Sequence, residues 1–165
     1  MFEINETPEC IEMVKERRNK ELKLNEFMLS EKNRLAEKVD YYTPLLKNLR
    51  DLAVKSAVRK EYSNNESGMY RGYYCPSPVD DLIIGGCRRG KLLKRITKRT
   101  NPDKEYLFDS NSRLVAVNSL LDWKAVRTEV LIYEDNLVTG IDIDNYDNSI
   151  IELSECIYDS ANKIK

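Results

Sequence analysis

The stretch AVRTEVLIYEDNLVTGIDI, residues 125–143, reads as a β-hairpin. Thr128, Val130 and Ile132 recur at every second position, as do Leu137, Thr139, Ile141 and Ile143, and that is the period of a half-buried strand. Between the two runs stands Tyr133-Glu134-Asp135-Asn136, an aromatic strand end followed by residues that tolerate positive φ and bond their own backbone. The same order of aromatic, Asp/Asn turn and aliphatic start returns at Tyr106 to Val115, Tyr146 to Ile151 and Tyr158 to Ile164. Calcium loops are the other reading of such turns, but no Asp-x-Asp-x-Asp-Gly ladder is present, and repeated hairpins explain the letters.

Working outward, strands are expected at Arg71–Cys75, Asp81–Ile84, Lys91–Thr97, Lys104–Phe108, Arg113–Asn118, Ala125–Tyr133, Leu137–Ile143 and Ile150–Tyr158. In the last of these, Ile151, Leu153 and Ile157 share the inward parity. After residue 91 the spacing leaves no room for crossover helices, so the strands form an antiparallel meander and not a parallel doubly wound sheet. A one-sided sheet needs a cover, and residues 1–62 supply it. This region is rich in Glu, Lys, Leu and Arg and contains no glycine. Thr7-Pro8-Glu9 and Thr43-Pro44 each put a capping hydroxyl before a proline suited to a first helical turn. Two helical segments follow, the first with a restart at Ser30-Glu31. The second carries an apolar face of Leu45, Leu46, Leu49, Leu52, Ala53, Val54, Ala57 and Val58. The expected class is α+β: an N-terminal helical segment over 1–62, a linker at 63–69, and an antiparallel β-meander over 70–165, folded together as one unit.

Composition narrows the chemistry. The chain of 165 residues has 27 Lys+Arg against 28 Asp+Glu and no histidine. Absence of histidine removes Ser-His-Asp and Cys-His nucleophile pairs and every histidine-containing zinc site. Balanced charge gives no global attraction to nucleic acid or membrane, so charge-driven binding must come from local patches. The longest apolar runs, such as Val130 to Tyr133, fall far short of the roughly 20 residues of a spanning helix. Met1-Phe2-Glu3 opens acidic, without the look of a signal peptide, and Cys10, Cys75, Cys87 and Cys156 form no CxxC pair. They read as reduced thiols in a cytoplasmic protein, with no cofactor or metal expected.

Three local features compete for function. Gly85-Gly86-Cys87-Arg88-Arg89-Gly90-Lys91 has the phosphate-loop form, but Leu92 stands where a magnesium-holding hydroxyl belongs and Asn101-Pro102 leaves little room for the helix. Arg88, Arg89, Lys91, Lys94, Arg95, Lys98 and Arg99 form a basic run behind Tyr70, Tyr73 and Tyr74, the mixture that single-stranded nucleic acid binding uses. The C-terminal third is acidic, through Glu129, Glu134, Asp135, Asp142, Asp144, Asp147, Glu152, Glu155 and Asp159. Asp142 and Asp144 share one strand face by parity, opposite Ile141 and Ile143. Close carboxylates suit acid/base hydrolysis, and they equally suit an acidic docking surface for a basic protein. Asp135, Asp142, Asp144, Asp147, Glu152 and Glu155 are the expected partner contacts, with Tyr133, Tyr146 and Tyr158 as anchors. Trp123, the only tryptophan, stands between two strands as a core plug or a binding anchor.

The segment from Tyr106 to Val117, with Asp109, Arg113 and Leu114 around its turn, resembles the Tyr-Asp repeats of Rhs-type proteins. Here Ser112 replaces the turn glycine and the later copies lose the arginine. Helices followed by a short-strand meander in a small histidine-free chain resemble immunity proteins of bacterial polymorphic-toxin and contact-dependent growth inhibition systems, over about Lys91 to Lys165. That resemblance implies a non-catalytic toxin inhibitor that binds one cognate toxin domain, with no shared binding motif to carry over. The alternatives are a nucleic-acid-binding regulator using the basic run and a carboxylate-based hydrolase.

Overall fold

The computed structural model describes residues 8–64, 73–74, 90–97 and 99–158, with side chains from Glu12 onward. The expected strands at Asp81–Ile84 and over most of Arg71–Cys75, the glycine-rich loop up to Arg89, Lys98 and the cap residue Thr7 lie outside them. Tyr73 and Tyr74 are described, and form a bend.

The chain divides into two units, Met1–Tyr41 and Tyr42–Lys165. The first is helix α1, which runs from Pro8 to Tyr42 without interruption. Ser30 does not restart it. Its hydroxyl instead donates to Phe27 O at 2.7 Å, a bond made within the helix that lets the turn continue. Ion pairs at helical spacing, Arg17–Glu21 at 3.3 Å and Arg34–Glu31 at 2.8 Å, support the surface.

In the second unit the Thr43-Pro44 break appears as a 3-10 turn, Thr43–Leu45, leading into helix α2, Leu46–Ser56. Thr43 is not the cap that its hydroxyl suggested: the N-cap positions fall on Tyr42 and Leu45, and neither makes a side-chain cap bond. Seven strands follow among the described residues: β1 (Arg59–Asn64), β2 (Lys91–Leu92), β3 (Lys104–Phe108), β4 (Leu114–Leu121), β5 (Lys124–Glu134), β6 (Leu137–Asp144) and β7 (Ser149–Ile157). All pairs are antiparallel, in the order β2-β1-β3-β4-β5-β6-β7. This is an α+β arrangement whose last five strands form the expected meander. The sequence RKEYSN, assigned to the helical segment and the start of the linker, is instead strand β1, paired with β3 from Arg59↔Phe108 to Ser63↔Lys104.

Alternation decides the two faces of the sheet. Helix α2 packs across β3, β4 and β5 through Leu46, Leu49 and Ala53, with Ala57 just beyond its end, onto Leu107, Ala116, Val130, Ile141 and Ile143. Leu52, Val54 and Val58, also expected on that face, are exposed. On the other face Tyr106, Phe108 and Val117 are buried beneath Tyr73 and Tyr74. Turn chemistry follows the sequence: Ser112, Asp135 and Asn148 take φ of 60°, 45° and 57°. Asp122 and Trp123 take φ of 48° and 65°, the two positive values of a type I′ hairpin turn. At the Asp109 turn, the carboxylate accepts the Asn111 and Arg113 N–H groups at 2.9 and 2.8 Å and pairs with the Arg113 guanidinium. Burial alone would raise this acid, but those bonds hold it below the ordinary aspartate range.

In β7 the expected inward set is corrected. A register shift beside Asp142 and Ile143 inserts Ile151 as an extra residue, so Ile150 turns to the core and Ile151 is 46% exposed. Ile157 keeps inward parity but pairs with Leu137 at the end of the sheet, where it is exposed.

One polar chain crosses the α2 side of the sheet. Glu105 accepts Lys60 Nζ at 3.0 Å, the Tyr62 hydroxyl at 2.9 Å and Asn118 Nδ2 at 2.6 Å. Asn118 Oδ1 accepts the Thr128 hydroxyl at 2.7 Å, Thr128 accepts Asn145 Nδ2 at 2.9 Å, and Asn145 Oδ1 accepts Arg50 Nη1 of α2 at 2.6 Å. A satisfied network of this kind pins register, because a slip would strand its buried members. It also makes an acid-dependent prediction. Burial raises the Glu105 carboxyl, but bonds from Asn118, Lys60 and Tyr62 outweigh it and the net shift is downward. A depressed folded value contributes stability above the ordinary value near 4.5, lost as pH falls through the lower folded one. Urea midpoints should therefore be level from pH 7 to 5 and drop below about pH 4.5, and Glu105→Gln should flatten part of that drop.

Thr139 supplies an opposite case. It is 1% exposed and its hydroxyl has no partner among the described residues. Thr139→Val should raise stability by about 1 kcal/mol in chemical denaturation, since a buried unpaired hydroxyl is a net cost.

Candidate binding face

Strand register sets Glu129, Asp142 and Glu152 directly opposite one another across β5, β6 and β7. They project from the face opposite α2, alternating with Val130, Ile141 and Leu153 on the core side. The backbone bond from Asn145 N–H to Val126 O fixes the phase of the β5–β6 ladder. By that count Glu129–Asp142 is a non-hydrogen-bonded pair, the kind in which side chains come closest. The bond from Tyr158 N–H to Asn136 O likewise makes Asp142–Glu152 a hydrogen-bonded pair.

Gly140 gives the row its shape. A Cβ there would sit 2.7 Å from Ser154 Oγ and 3.1 Å from Glu129 Oε1, so glycine leaves room for Glu129 to lean over β6, and a side chain at this position would make Ser154 and Glu129 turn aside. The result is a cavity of about 50 Å³ lined by Glu129, Gly140, Asp142, Glu152 and Ser154.

Like charges directly opposite destabilise a sheet. Two cations beside the row offset this. The Arg127 guanidinium pairs with Asp142. Lys104 donates to Ser119 Oγ at 2.6 Å, and burial holds its ammonium below the ordinary lysine range although Asp142 and Glu129 pull the other way. Glu152, at the outer end, is exposed.

The expected contact residues separate into groups. Asp142 and Glu152 stand in the row, and Asp144 shares their face one pair further along, opposite Arg127. Asp144 and Asp147 also build the β6–β7 turn: Asp144 accepts Tyr146 N–H at 2.8 Å, and Asp147 accepts the Ser149 N–H and hydroxyl at 3.0 and 2.6 Å. Asp135 is exposed in the β5–β6 turn. Glu155 does not belong to the row's face: it lies three residues from Glu152, opposite Thr139, and so points to the α2 side.

Among the tyrosines, Tyr146 is 80% exposed at the turn beside the acids. Tyr133 is held in place, with its hydroxyl donating to Leu114 O at 2.7 Å and the Arg113 guanidinium 5.1 Å from the ring centre. Burial, then Tyr158 and Asp109, push its hydroxyl up to about 12. Tyr158 is half-buried and raised by burial and by Cys156. Cys156 itself is buried, outside any disulfide among the described residues, on the row's face.

The described members of the basic run are not gathered into one strand face. Arg88, Arg89 and Lys98 lie outside the described residues. The strand expected over Lys91–Thr97 is only Lys91–Leu92, and Lys94, Arg95 and Arg99 are exposed in irregular chain. Trp123 is neither core plug nor isolated anchor: its indole N–H donates to Thr100 O at 3.1 Å, and its ring meets Tyr62 edge-on at 5.7 Å.

The residues that sequence reasoning did not select are Glu129, Gly140 and Ser154. A signal for the first was present. A two-residue turn at Asp135-Asn136 pairs Glu134 with Leu137, and counting back from it sets Glu129 against Asp142.

No family model matches this chain, and neither a curated protein nor a solved structure does. Among the described residues no helix is long and apolar enough to cross a membrane, and no group of three or more Asp, Glu, Cys or His side chains is arranged to hold a metal ion.

Proposed function

We propose that the chain is a non-catalytic immunity protein. It binds a basic, nuclease-like toxin domain of a polymorphic-toxin or contact-dependent inhibition system and occludes its active cleft with the acidic face of β5, β6 and β7. The observation that carries this reading is the row of Glu129, Asp142 and Glu152 at register-paired positions around Gly140.

Two physical points support it. Arg127 and Lys104 offset the like-charge cost at the inner end of the row, and a cationic partner group would do the same at the exposed Glu152. The cavity among them, about 50 Å³, is far smaller than the roughly 300–1,000 Å³ of small-molecule sites, and it suits the head of one lysine or arginine. Asp144 and the exposed Tyr146 extend the surface along the turn, where an aromatic adds contact area at low entropic cost.

The test is affinity capture from source cells with two baits, the native chain and the Glu129→Lys/Glu152→Lys variant. The reading predicts one stoichiometric basic protein, encoded beside this chain and toxic when expressed alone, retained by the first bait and lost from the second. Nucleic acid without a protein would overturn it in favour of the basic run. Equal retention by both baits would remove the acidic face.

A further inference from the structure

We infer that the partner joins the sheet itself: an extended segment of the bound protein adds as a further strand along the outer edge of β7, with a lysine or arginine opposite Glu152. This rests on the acidic-face reading and specifies how that face is used.

Among the described residues β7 pairs on one side only, with β6. The Tyr158 N–H to Asn136 O bond fixes which backbone groups are used there. Residues with the parity of Tyr158, namely Cys156, Ser154 and Glu152, turn their N–H and C=O groups towards β6. Leu153 and Ile157 have the other parity and turn theirs outward, away from the sheet. An outward row of donors and acceptors is a template for another strand.

Charge selects the occupant. The row Glu129, Asp142, Glu152 advances one strand at a time across β5, β6 and β7, so its fourth position falls on the added strand. Opposite charge is favoured at directly facing positions and like charge is penalised. A basic side chain there neutralises Glu152, while the residues of the added strand with the other parity project on the opposite face, beside Leu153, which packs on the core, Glu155, and Ile157, which is exposed. A second copy fits less well, because antiparallel pairing of β7, Ser149–Ile157, with itself centres on Leu153 and sets Glu152 opposite Ser154, which brings the acid no cation. The exposed Ile151 and Ile157 give apolar contacts at either end of the added strand.

The probe is a synthetic octapeptide of alternating lysine and valine, read by amide NMR and hydrogen exchange on the full chain. The expected result is salt-sensitive binding with protection of the Leu153 and Ile157 amides, weakened roughly tenfold by Glu152→Lys. Ile157→Pro removes an outward donor without touching the β6 ladder and should weaken binding similarly, with the chain still folded by its NMR dispersion. An N-methylated peptide of the same sequence should not bind. Salt-sensitive binding with unprotected β7 amides would overturn the added strand and leave the acidic face standing. Protection unaffected by Glu152→Lys would keep the edge and overturn the charge selection. Failure of the peptide to bind would overturn both, and protection of the same amides in the protein alone, rising with its concentration, would assign the edge to a second copy.

Discussion

Tyr106→Ala is expected to lower stability by about 3–5 kcal/mol, a large share of the roughly 5–15 kcal/mol that holds an ordinary domain folded. The side chain is fully buried, and its ring meets Tyr74 edge-on at 5.1 Å. Its hydroxyl accepts the Tyr73 N–H at 2.7 Å and shares a bond of 3.0 Å with the Ser63 hydroxyl, itself fully buried on β1. One residue thus ties β3 to β1 and to the segment that covers this face of the sheet. Tyr106→Phe separates the two contributions. It keeps the ring and takes a bond from the buried Ser63 hydroxyl and from the part-buried Tyr73 N–H, at about 1–3 kcal/mol. Urea denaturation followed by circular dichroism measures both, and a Tyr106→Phe change within about 0.5 kcal/mol would mean that the hydroxyl bonds do not matter.

The second large effect is on binding. Reversing Glu129 and Glu152 to lysine together should weaken the partner complex on the order of 100-fold at low salt, with the ratio shrinking as salt is added. Asp142 is left out of this test, although it sits in the middle of the row, because its carboxylate pairs with Arg127; Glu129 in turn acts on the Lys104 ammonium, so the urea midpoint of the double variant is measured beside its affinity. Glu152 is exposed, so its reversal should leave the urea midpoint nearly unchanged. A loss of affinity matched by an equal loss of stability would point to misfolding instead of a lost contact.

The meander was legible because its information is local. The alternation of Thr128, Val130 and Ile132 against Leu137, Thr139, Ile141 and Ile143 returned as two paired strands, with Asp135 at the positive φ that the turn requires. Strand β1 was hidden because RKEYSN has the composition of an exposed helix, and its pairing with β3 is fixed by contacts more than forty residues away, such as Glu105 with Lys60 and Tyr62. The β7 bulge was hidden for a related reason. Nothing in Ser149-Ile150-Ile151 says which isoleucine faces inward until β6 supplies the register. The acidic face was visible as composition, and Asp142 and Glu152 were selected from it. What composition could not give is the row. That comes from counting across two hairpins, and the count brings in Glu129 and Gly140 and moves Glu155 to the other side of the sheet.

The most direct test is protection in living cells. The protein encoded beside this chain is expressed under tight control, alone, with the native chain, and with the Glu129→Lys/Glu152→Lys variant at matched abundance. The account predicts arrest of growth by the neighbour alone, rescue by the native chain, and loss of rescue with the doubly reversed variant. Growth that the neighbour does not impair, or rescue that survives the reversal, would contradict it.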